Sequence, residues 1–293
     1  MNIYIYKFII IYIYIILINM IKIILIIIMF IILVLVFIDE DRIFNATYMD
    51  IYEYYIEKFP LPILGFYNGI IRGVHPHHKH YFNSSDFTST KKLEDNFSII
   101  QKEALQIYNK KKLLNMKDIG NSFFDRIDGQ PKEWKVYVIK WYGEIHKNAL
   151  ANCPETCKII SELPDIHIAM ISILEPGKII VPHKGPSTAC LRYHLGLKIP
   201  KDKNNCYIVV NGEKFYWEEG KGLIFDDTYE HSVYNNTNEP RIILFVDVER
   251  PIMFPLNYVN NFLISQSNLS EFVNNVNKVA ENQSDIEKEY FTI

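Results

Sequence analysis

Cysteine is scarce in this chain, which has only Cys153, Cys157, Cys190 and Cys206 in 293 residues. Four cysteines are too few for a scaffold held together by disulfides in place of a hydrophobic core. Cys153 and Cys157 could pair in an oxidising compartment, but reduced thiols are equally compatible with the sequence. A single C-x3-C spacing without a second pair also argues against a zinc ribbon.

The chain also lacks an excess of positive charge. It carries 31 Lys and Arg against 34 Asp and Glu, a formal net charge of −3. Nucleic-acid binding needs clustered Lys and Arg that neutralise phosphates, so this balance argues against nucleic acid as a partner. No internal repeat is visible. The length suits one domain of roughly 200 residues with additional segments.

Charged residues are almost absent from residues 1–38. The stretch from Phe8 to Ile38 holds one lysine in 31 residues, and a helix needs roughly 20 apolar residues to cross a bilayer. We therefore predict a transmembrane anchor at 1–38, with two short spans broken near Asn19–Lys22 as an alternative. A cleaved signal peptide is disfavoured because no small-residue cleavage site follows, the first alanine being Ala46.

The charges that flank this apolar run predict its orientation. Lys7 and Lys22 precede the uncharged stretch from Ile23 to Ile38, and three acidic residues follow at 39–41. The positive-inside rule then places the N-terminus in the cytoplasm. We expect a single-pass type II membrane protein whose remaining residues are lumenal or extracytoplasmic.

Residues 39–130 are mixed in composition and predict a membrane-proximal, helical support region. A short helix is expected at Tyr48–Phe59, and Phe97–Leu114 has apolar residues at helical spacing. The tract from His75 to His80 is rich in histidine and could bind metal. An exposed loop is the favoured interpretation, because no carboxylate or cysteine is spaced to complete a metal site.

Residues 131–252 predict a β-rich core. A strand is expected at Trp134–Trp141, followed by helices at Tyr142–Leu150 and Pro154–Leu163. Eight short apolar runs separated by turn residues then predict strands: His167–Leu174, Lys178–Val181, Cys190–Ile199, Cys206–Val210, Lys214–Trp217, Gly222–Phe225, His231–Tyr234 and Arg241–Val248.

Eight short strands at this spacing are typical of a sandwich or barrel, and a double-layered jelly roll is the natural closed form. Asn211-Gly212 predicts a two-residue hairpin. The fold class expected is mainly β with flanking helices. The final segment, 253–293, predicts a helical tail, with one helix over Leu256–Lys278. Among several N-x-S/T sequons are Asn45, Asn83, Asn96 and Asn235, and in a lumenal domain Asn45 or Asn83 could carry glycans.

Two histidines and two arginines in the core are candidates for a metal site with an anion clamp. His183 and His231 lie 48 positions apart, a spacing that can return a jelly-roll chain to the same mouth of the barrel, and imidazole suits Fe, Zn and Cu. Arg192 and His194 project from the same face of one strand. Arg241 opens an apolar strand, and Ser172 lies within another. A glycan at Asn235 would crowd this site.

Structural roles are the alternative for each of these residues. A buried histidine is often only a hydrogen-bonded core residue, and each arginine could instead pair with Asp226, Asp227 or Asp247. The combination favours a ligand, because inward-facing cations on apolar strands must be paired or they leave a costly buried charge. A carboxylate ligand would match the fork of an arginine.

The same residues carry a resemblance to a known family. The motifs H-x-G-P-S at 183–187, L-R-x-H-L-G-L at 191–197, W-E-E-G-K at 217–221, F-D-D-x-x-x-H at 225–231 and R-I-I-L-F-V-D-V at 241–248 resemble the aspartyl/asparaginyl β-hydroxylases. The matching motifs run from about Trp134 to Pro251. The resemblance implies a double-stranded β-helix of the jelly-roll or cupin type, and an enzyme that depends on iron(II), 2-oxoglutarate and O2.

The resemblance also implies a role for each candidate residue. His183 and His231 would bind the iron, Arg192 and His194 would hold the end of 2-oxoglutarate nearest the metal, and Arg241 with Ser172 would clamp its distal carboxylate. The usual facial triad has a carboxylate two positions after the first histidine, where this chain has Gly185. The family that it resembles works with two protein ligands.

Two substrate classes are compatible with the resemblance. The favoured expectation is hydroxylation at the β-carbon of Asp or Asn in a protein; the alternative is hydroxylation of lipid acyl chains, as in lipid A. A non-catalytic jelly-roll binding protein is a third interpretation. A zinc hydrolase is disfavoured because no third ligand or general base is suitably spaced.

Overall fold

The computed structural model describes residues 67–72, 79–110, 113–119, 127, 133–267, 271–281 and 283. The anchor predicted at 1–38, the helix expected at Tyr48–Phe59 and most of the histidine-rich tract lie outside these residues. Within the described ranges, every helix is too short or too polar to cross a membrane.

Eleven strands of the described residues form two antiparallel sheets. Their bounds are β1 Tyr81–Phe82, β2 Leu114–Asn115, β3 Trp134–Trp141, β4 Ile166–Leu174, β5 Ile179–His183, β6 Cys190–Lys198, β7 Cys206–Val210, β8 Glu213–Tyr216, β9 Gly222–Phe225, β10 His231–Asn235 and β11 Arg241–Glu249. The larger sheet has the order β1-β9-β6-β11-β4-β3-β2 and the smaller one β5-β10-β7-β8. This is the jelly-roll architecture that the strand pattern predicts.

Alternation along the strands divides the apolar residues between two cores. Ile243 and Phe245 of β11 belong to a core between the two sheets, and Leu244 and Val246 belong to a core on the outer face of the larger sheet. Successive side chains of a strand point to opposite faces, so one strand serves both cores. The candidate site lies in the interior between the two sheets.

Four helices cover the outer face of the larger sheet: α1 Thr88–Asp95, α2 Phe97–Asn109, α3 Lys147–Asn152 and α4 Pro154–Ser161. Their apolar residues, among them Leu93, Ile107 and Ile160, pack into the outer core. Cys153 and Cys157 lie here as buried free thiols, with their Sγ atoms 3.9 Å apart. The helices are therefore a support layer behind the sheet.

The strand predictions agree with the structure to within about two residues at each end. The strands at Cys206–Val210 and Gly222–Phe225 have the predicted bounds. The hairpin at Asn211-Gly212 has φ of +51° and +80°, the pair of positive φ values that a tight two-residue turn requires. The structure extends β5 to His183 beyond Pro182, which is permitted because β5 is an edge strand.

Three helix predictions need correction. The helix from Phe97 ends at Asn109, since Leu114 pairs with β3 as part of β2. The helix expected from Tyr142 begins only at Lys147, because Tyr142 and Gly143 adopt positive φ in a turn. The single helix expected over Leu256–Lys278 is instead two, α5 Leu256–Ser267 and α6 Glu271–Glu281. The sequence between the two helices, Asn268, Leu269 and Ser270, contains two residues of low helix propensity.

Candidate functional site

His183 and His231 come together across two neighbouring strands of the smaller sheet. They are direct register partners in the β5–β10 pair, and their ring centroids are 4.1 Å apart. The predicted strand ends at Val181, before Pro182, whereas the observed strand β5 continues to His183 and places it opposite His231. The structure thus joins the two imidazoles that the sequence separates by 48 positions.

Backbone carbonyls orient both rings. Nδ1 of His183 lies 2.8 Å from the carbonyl oxygen of Val181, and Nδ1 of His231 lies 2.9 Å from that of Tyr229. Each Nδ1–H donates to a carbonyl, which assigns the lone pair of the neutral ring to Nε2. This tautomer is the one by which histidine commonly binds a metal through Nε2.

Both imidazoles are held in the neutral form. Burial lowers the pKa of His183 to about 4, and the nearby Arg192 acts in the same direction. Burial lowers the pKa of His231 well below its ordinary value, and His183 lowers it further. Metal binding needs deprotonated imidazole, so the pair is ready to accept a cation at neutral pH.

A carboxylate from another segment lies in the space beside Gly185. A Cβ added to Gly185 would come within 2.1 Å of Oδ2 of Asp227, and the Gly185 N–H donates to the Asp227 carbonyl over 2.7 Å. Burial raises the pKa of Asp227 to about 7, against the opposing effect of Arg192. The space that a side chain two residues after His183 would need is therefore occupied by a carboxylate from the segment before His231.

An ion pair holds that segment in place from its other side. Asp226 accepts hydrogen bonds from the backbone N–H of Thr228 at 3.0 Å and from its hydroxyl at 2.6 Å, and it forms an ion pair with Arg250. Asp226 therefore binds Arg250, while its neighbour Asp227 pairs with Arg192. From the sequence alone, both aspartates are expected only as partners for Arg192 or Arg241, and Arg250 is not identified. The available signal was the glycine at position 185, which leaves room for a side chain from another segment.

Arg192 forms the ion pairs that were the alternative to ligand binding. Its Nε lies 3.0 Å from Oδ1 of Asp247, its Nη2 lies 3.2 Å from Oδ2 of Asp247 and 3.0 Å from Oδ2 of Asp227. The guanidinium also stacks on Phe245, 4.4 Å from the ring centroid. Contact between Arg192 and a cosubstrate stays a prediction, since two carboxylates already balance its charge.

Unlike Arg192, the buried side chains of His194 and Arg241 have nitrogen atoms without a partner among the described residues. Both ring nitrogens of His194 lack a hydrogen-bond partner among the described residues, as do Nε and Nη1 of Arg241. Aromatic rings surround them: Trp217 lies 4.8 Å from the Arg241 guanidinium, and Phe225 lies 5.2 Å from His194. Burial lowers the pKa of Arg241 to about 10, so the group remains a cation at neutral pH.

A buried cation without a counter-ion is costly, and an anionic ligand would remove this cost. Ser172 lies on β4 opposite Ile243, two positions from Arg241 on the same face. Its hydroxyl accepts a hydrogen bond from Nε1 of Trp134 over 3.0 Å. The unpartnered guanidinium, the unpartnered imidazole and this hydroxyl fit a small carboxylate ligand.

His194 interacts electrostatically with both Arg241 and the imidazole pair. Arg241 and Arg192 both lower the pKa of His194, after the larger effect of burial, and His194 in turn lowers that of His231. His194 thus lies between the imidazole pair and Arg241. Within the described ranges, His, Cys, Asp and Glu side chains form no group of three or more that could hold a metal ion. The metal-binding candidates are the two imidazoles.

Comparisons with known proteins match this region of the chain. The sequence profile of the family described as "Aspartyl/Asparaginyl beta-hydroxylase" matches residues 94–251. An ornithine lipid ester-linked acyl 2-hydroxylase from Rhizobium tropici is 36% identical over 54% of this chain and 55% of its own length. The human aspartyl/asparaginyl beta-hydroxylase is 35% identical over 56% of this chain and 21% of its own length.

The match therefore spans about half of the first relative and about a fifth of the second. Among solved structures, the Schizosaccharomyces pombe Cnp3 cupin domain aligns with 30% of this chain and 58% of its own, at 14% identity and a TM-score of 0.25. The family profile covers more than half of the 293 residues, including every residue of the candidate site. The chain belongs to the aspartyl/asparaginyl β-hydroxylase family.

Proposed function

We propose that this protein is an iron(II)- and 2-oxoglutarate-dependent dioxygenase that hydroxylates an unactivated C–H bond. The observation that carries the proposal is the combination of two neutral imidazoles, buried His231 and half-buried His183, with the buried cation of Arg241, whose Nε and Nη1 have no partner among the described residues. The imidazole pair suits a metal ion, and the Arg241 guanidinium suits a dicarboxylate. Membership in a family named for hydroxylation supports the same conclusion.

His183 and His231 would bind iron through Nε2, since Nδ1 of each donates to a carbonyl. With O2, such a centre couples oxidative decarboxylation of 2-oxoglutarate to succinate with hydroxylation of the substrate. The surrounding aromatic residues, Phe225, Phe245 and Trp217, would exclude water from the reaction.

Arg241 would receive the distal carboxylate of 2-oxoglutarate, with the Ser172 hydroxyl as a second donor. A guanidinium offers a planar fork that matches a carboxylate. His194, between Arg241 and the imidazole pair, would contact the end nearer the metal. Arg192 would act there as well, or hold Asp227 in position through its ion pair.

The test of this proposal is loss of both metal binding and turnover in His231→Ala. We expect Fe(II) affinity to fall sharply and succinate formation to stop, because one of two imidazole ligands is lost. His146→Ala is the matched control, since His146 lies at the start of α3 in the helical layer behind the larger sheet, and it should retain both properties. Succinate formation that continued in His231→Ala would refute the assignment.

For the substrate we favour a lipid acyl chain. The R. tropici relative, whose name gives a lipid acyl substrate, matches over comparable shares of both chains. A neutral acyl chain also suits a site in which Arg192, whose charge acts on both imidazoles, is already paired with Asp227 and Asp247. A substrate aspartate would need a cation of its own.

Hydroxylation of Asp or Asn in a protein is the second candidate, supported by the 35% identity to the human relative. Incubation with an acylated amino-acid lipid and, separately, with an EGF-like peptide distinguishes the two. A mass gain of one oxygen, dependent on Fe(II) and 2-oxoglutarate, identifies the substrate class. A folded protein without turnover on either substrate would favour a non-catalytic binding protein.

A further inference from the structure

Helix α5 carries apolar side chains on two opposite sides. Leu256, Leu263 and Ile264 are buried in a small core with Tyr67 and Ile71. On the other side, Phe254 is 78% exposed, Tyr258 67% and Phe262 60%. Tyr258 and Phe262 are one turn apart on α5, and Phe254, just before the helix, places its ring centroid 6.0 Å from that of Tyr258, so the three rings form one line.

Met253 and Val259 extend this line, at 74% and 42% exposure. We name these five residues the α5 stripe: Met253, Phe254, Tyr258, Val259 and Phe262. Soluble surfaces rarely expose so many large apolar side chains together, and such a patch marks an interaction site. A helix that is apolar on both sides needs a second apolar environment.

Charge around the stripe indicates what that environment is. No Asp, Glu, Lys or Arg occurs from Pro251 to Ser267, so contact of this segment with hydrocarbon would desolvate no ionised group. Aromatic side chains with a polar tip, such as Tyr258, favour the boundary between lipid and water.

Helix α5 packs against the N-terminal end of the described fold. The helical segment 67–72 is the first described part of the chain, and it follows the apolar run at 1–38 in sequence. This segment packs on the buried side of α5, where the Tyr67 hydroxyl donates to Oδ1 of Asn260. The α5 stripe therefore belongs to the helix that contacts the first described segment after the apolar N-terminal sequence.

The same segment also contacts the loop that follows His183. Nδ2 of Asn68 donates to the carbonyl of Pro186 at 2.9 Å, and its Oδ1 accepts from the N–H of Thr188 at 2.9 Å. One short segment thus joins α5 to the loop that follows His183.

We propose that the α5 stripe is a membrane-contact surface that inserts into the interfacial region of a lipid bilayer. Its lack of basic residues distinguishes it from helices that recognise anionic headgroups, so insertion should not require anionic lipid. The inference rests on the lipid acyl substrate proposed above, and it can be tested without measuring turnover.

The test uses the full chain reconstituted in phosphatidylcholine vesicles with an environment-sensitive fluorophore at one introduced cysteine. Phe254→Cys and Phe262→Cys report on the stripe, and Tyr216→Cys on β8 is the matched control, an exposed aromatic residue in the other sheet. Unsubstituted protein gives the labelling background of its four cysteines, three of which are buried. The expected result is a blue shift and quenching by lipid-borne quenchers at 254 and 262, and neither at 216.

A water-like signal at 254 and 262 in vesicles would overturn the proposal. A blue shift without quenching by lipid-borne quenchers would also overturn it, because it would show that a second copy or another segment of the chain covers the stripe. Neither result depends on catalysis, so the failure of this inference is distinct from failure of the hydroxylase assignment. Vesicles that contain anionic lipid should give the same signals as phosphatidylcholine alone.

Discussion

The Asp227 carboxylate occupies the space that a side chain at Gly185 would need. The distance from a Cβ built on Gly185 to Oδ2 of Asp227 is only 2.1 Å, well inside van der Waals contact. The two positions are 42 residues apart in sequence and belong to the segments that follow His183 and precede His231. A single volume can therefore hold a side chain from either segment, but not from both.

This exclusion predicts a compensating pair of substitutions. Gly185→Asp alone should lower the free energy of unfolding by about 1–3 kcal/mol, as overpacking of a buried site does, and should weaken Fe(II) binding. Gly185→Asp combined with Asp227→Gly should recover most of the stability and bind Fe(II) more tightly than the single variant. Urea unfolding and Fe(II) titration measure both effects. Equal stability of the single and double variants would show that the two positions do not compete.

Arg241 predicts a conflict between stability and cosubstrate binding. Its buried guanidinium has unpartnered Nε and Nη1 atoms, so Arg241→Met should raise the free energy of unfolding of the ligand-free protein by about 1–3 kcal/mol. The same change should abolish the stabilisation that 2-oxoglutarate gives. Thermal unfolding with and without 2-oxoglutarate tests both statements.

Arg241→Lys is the matched control, because it retains the charge and loses the planar fork. We expect this variant to keep a weakened response to 2-oxoglutarate, with a KM raised more than kcat is lowered. A methionine variant that bound 2-oxoglutarate as tightly as the unchanged protein would exclude Arg241 from the cosubstrate site.

Sequence periodicity predicted most of the sheet, because strands buried on one or both faces leave local patterns. The runs at Cys206–Val210 and Gly222–Phe225 end at turn residues, and their bounds agree with the structure. The predicted helix ends were wrong for a different reason. Leu114 continues the apolar spacing of α2, but it pairs with β3, and such a tertiary contact leaves no trace in a local pattern.

The candidate site shows the same limit. The strand alternation placed Arg192 and His194 on one face, and the structure has both on the inner face of β6 opposite Asp247 and Phe245. The difference between Arg192, paired with two carboxylates, and Arg241, paired with none among the described residues, depends on the register of strands distant in sequence. Propensities cannot supply that register.

Asn235 should remain unglycosylated in the folded protein although it lies in a sequon. Its side chain is buried, and its Nδ2 donates to the carbonyls of Leu174, Glu175 and Glu239. Asn235→Ala would leave these acceptors unpartnered and should cost about 1–3 kcal/mol of stability, while the exposed neighbour Asn236→Ala should be nearly neutral. Expression in a glycosylating host with mass spectrometry, followed by urea unfolding, tests the prediction. Glycan on Asn235 in folded, active protein would contradict it.

Glu103 is predicted to stabilise the support layer by capping a helix that is not its own. From α2, its Oε1 accepts the N–H of Glu155 at 3.1 Å, and its Oε2 accepts the N–H of Thr156 at 2.8 Å and the hydroxyl of Thr156 at 2.6 Å. These N–H groups belong to the first turn of α4, which has no partner for them within the helix. A carboxylate at this end is also favoured by the helix dipole.

Glu103→Gln should therefore lower the free energy of unfolding by about 1–2 kcal/mol, because the amide keeps one acceptor but loses the charge and the second acceptor. Glu155→Gln is the matched control: it removes a negative charge from the same helical turn at an exposed position and should change stability by less than about 0.5 kcal/mol. If the two variants were equally stable, net charge near α4 would account for any effect and the capping contact would not. Hydrogen exchange of the Thr156 amide would separate these explanations directly, since only loss of the cap exposes that N–H to solvent.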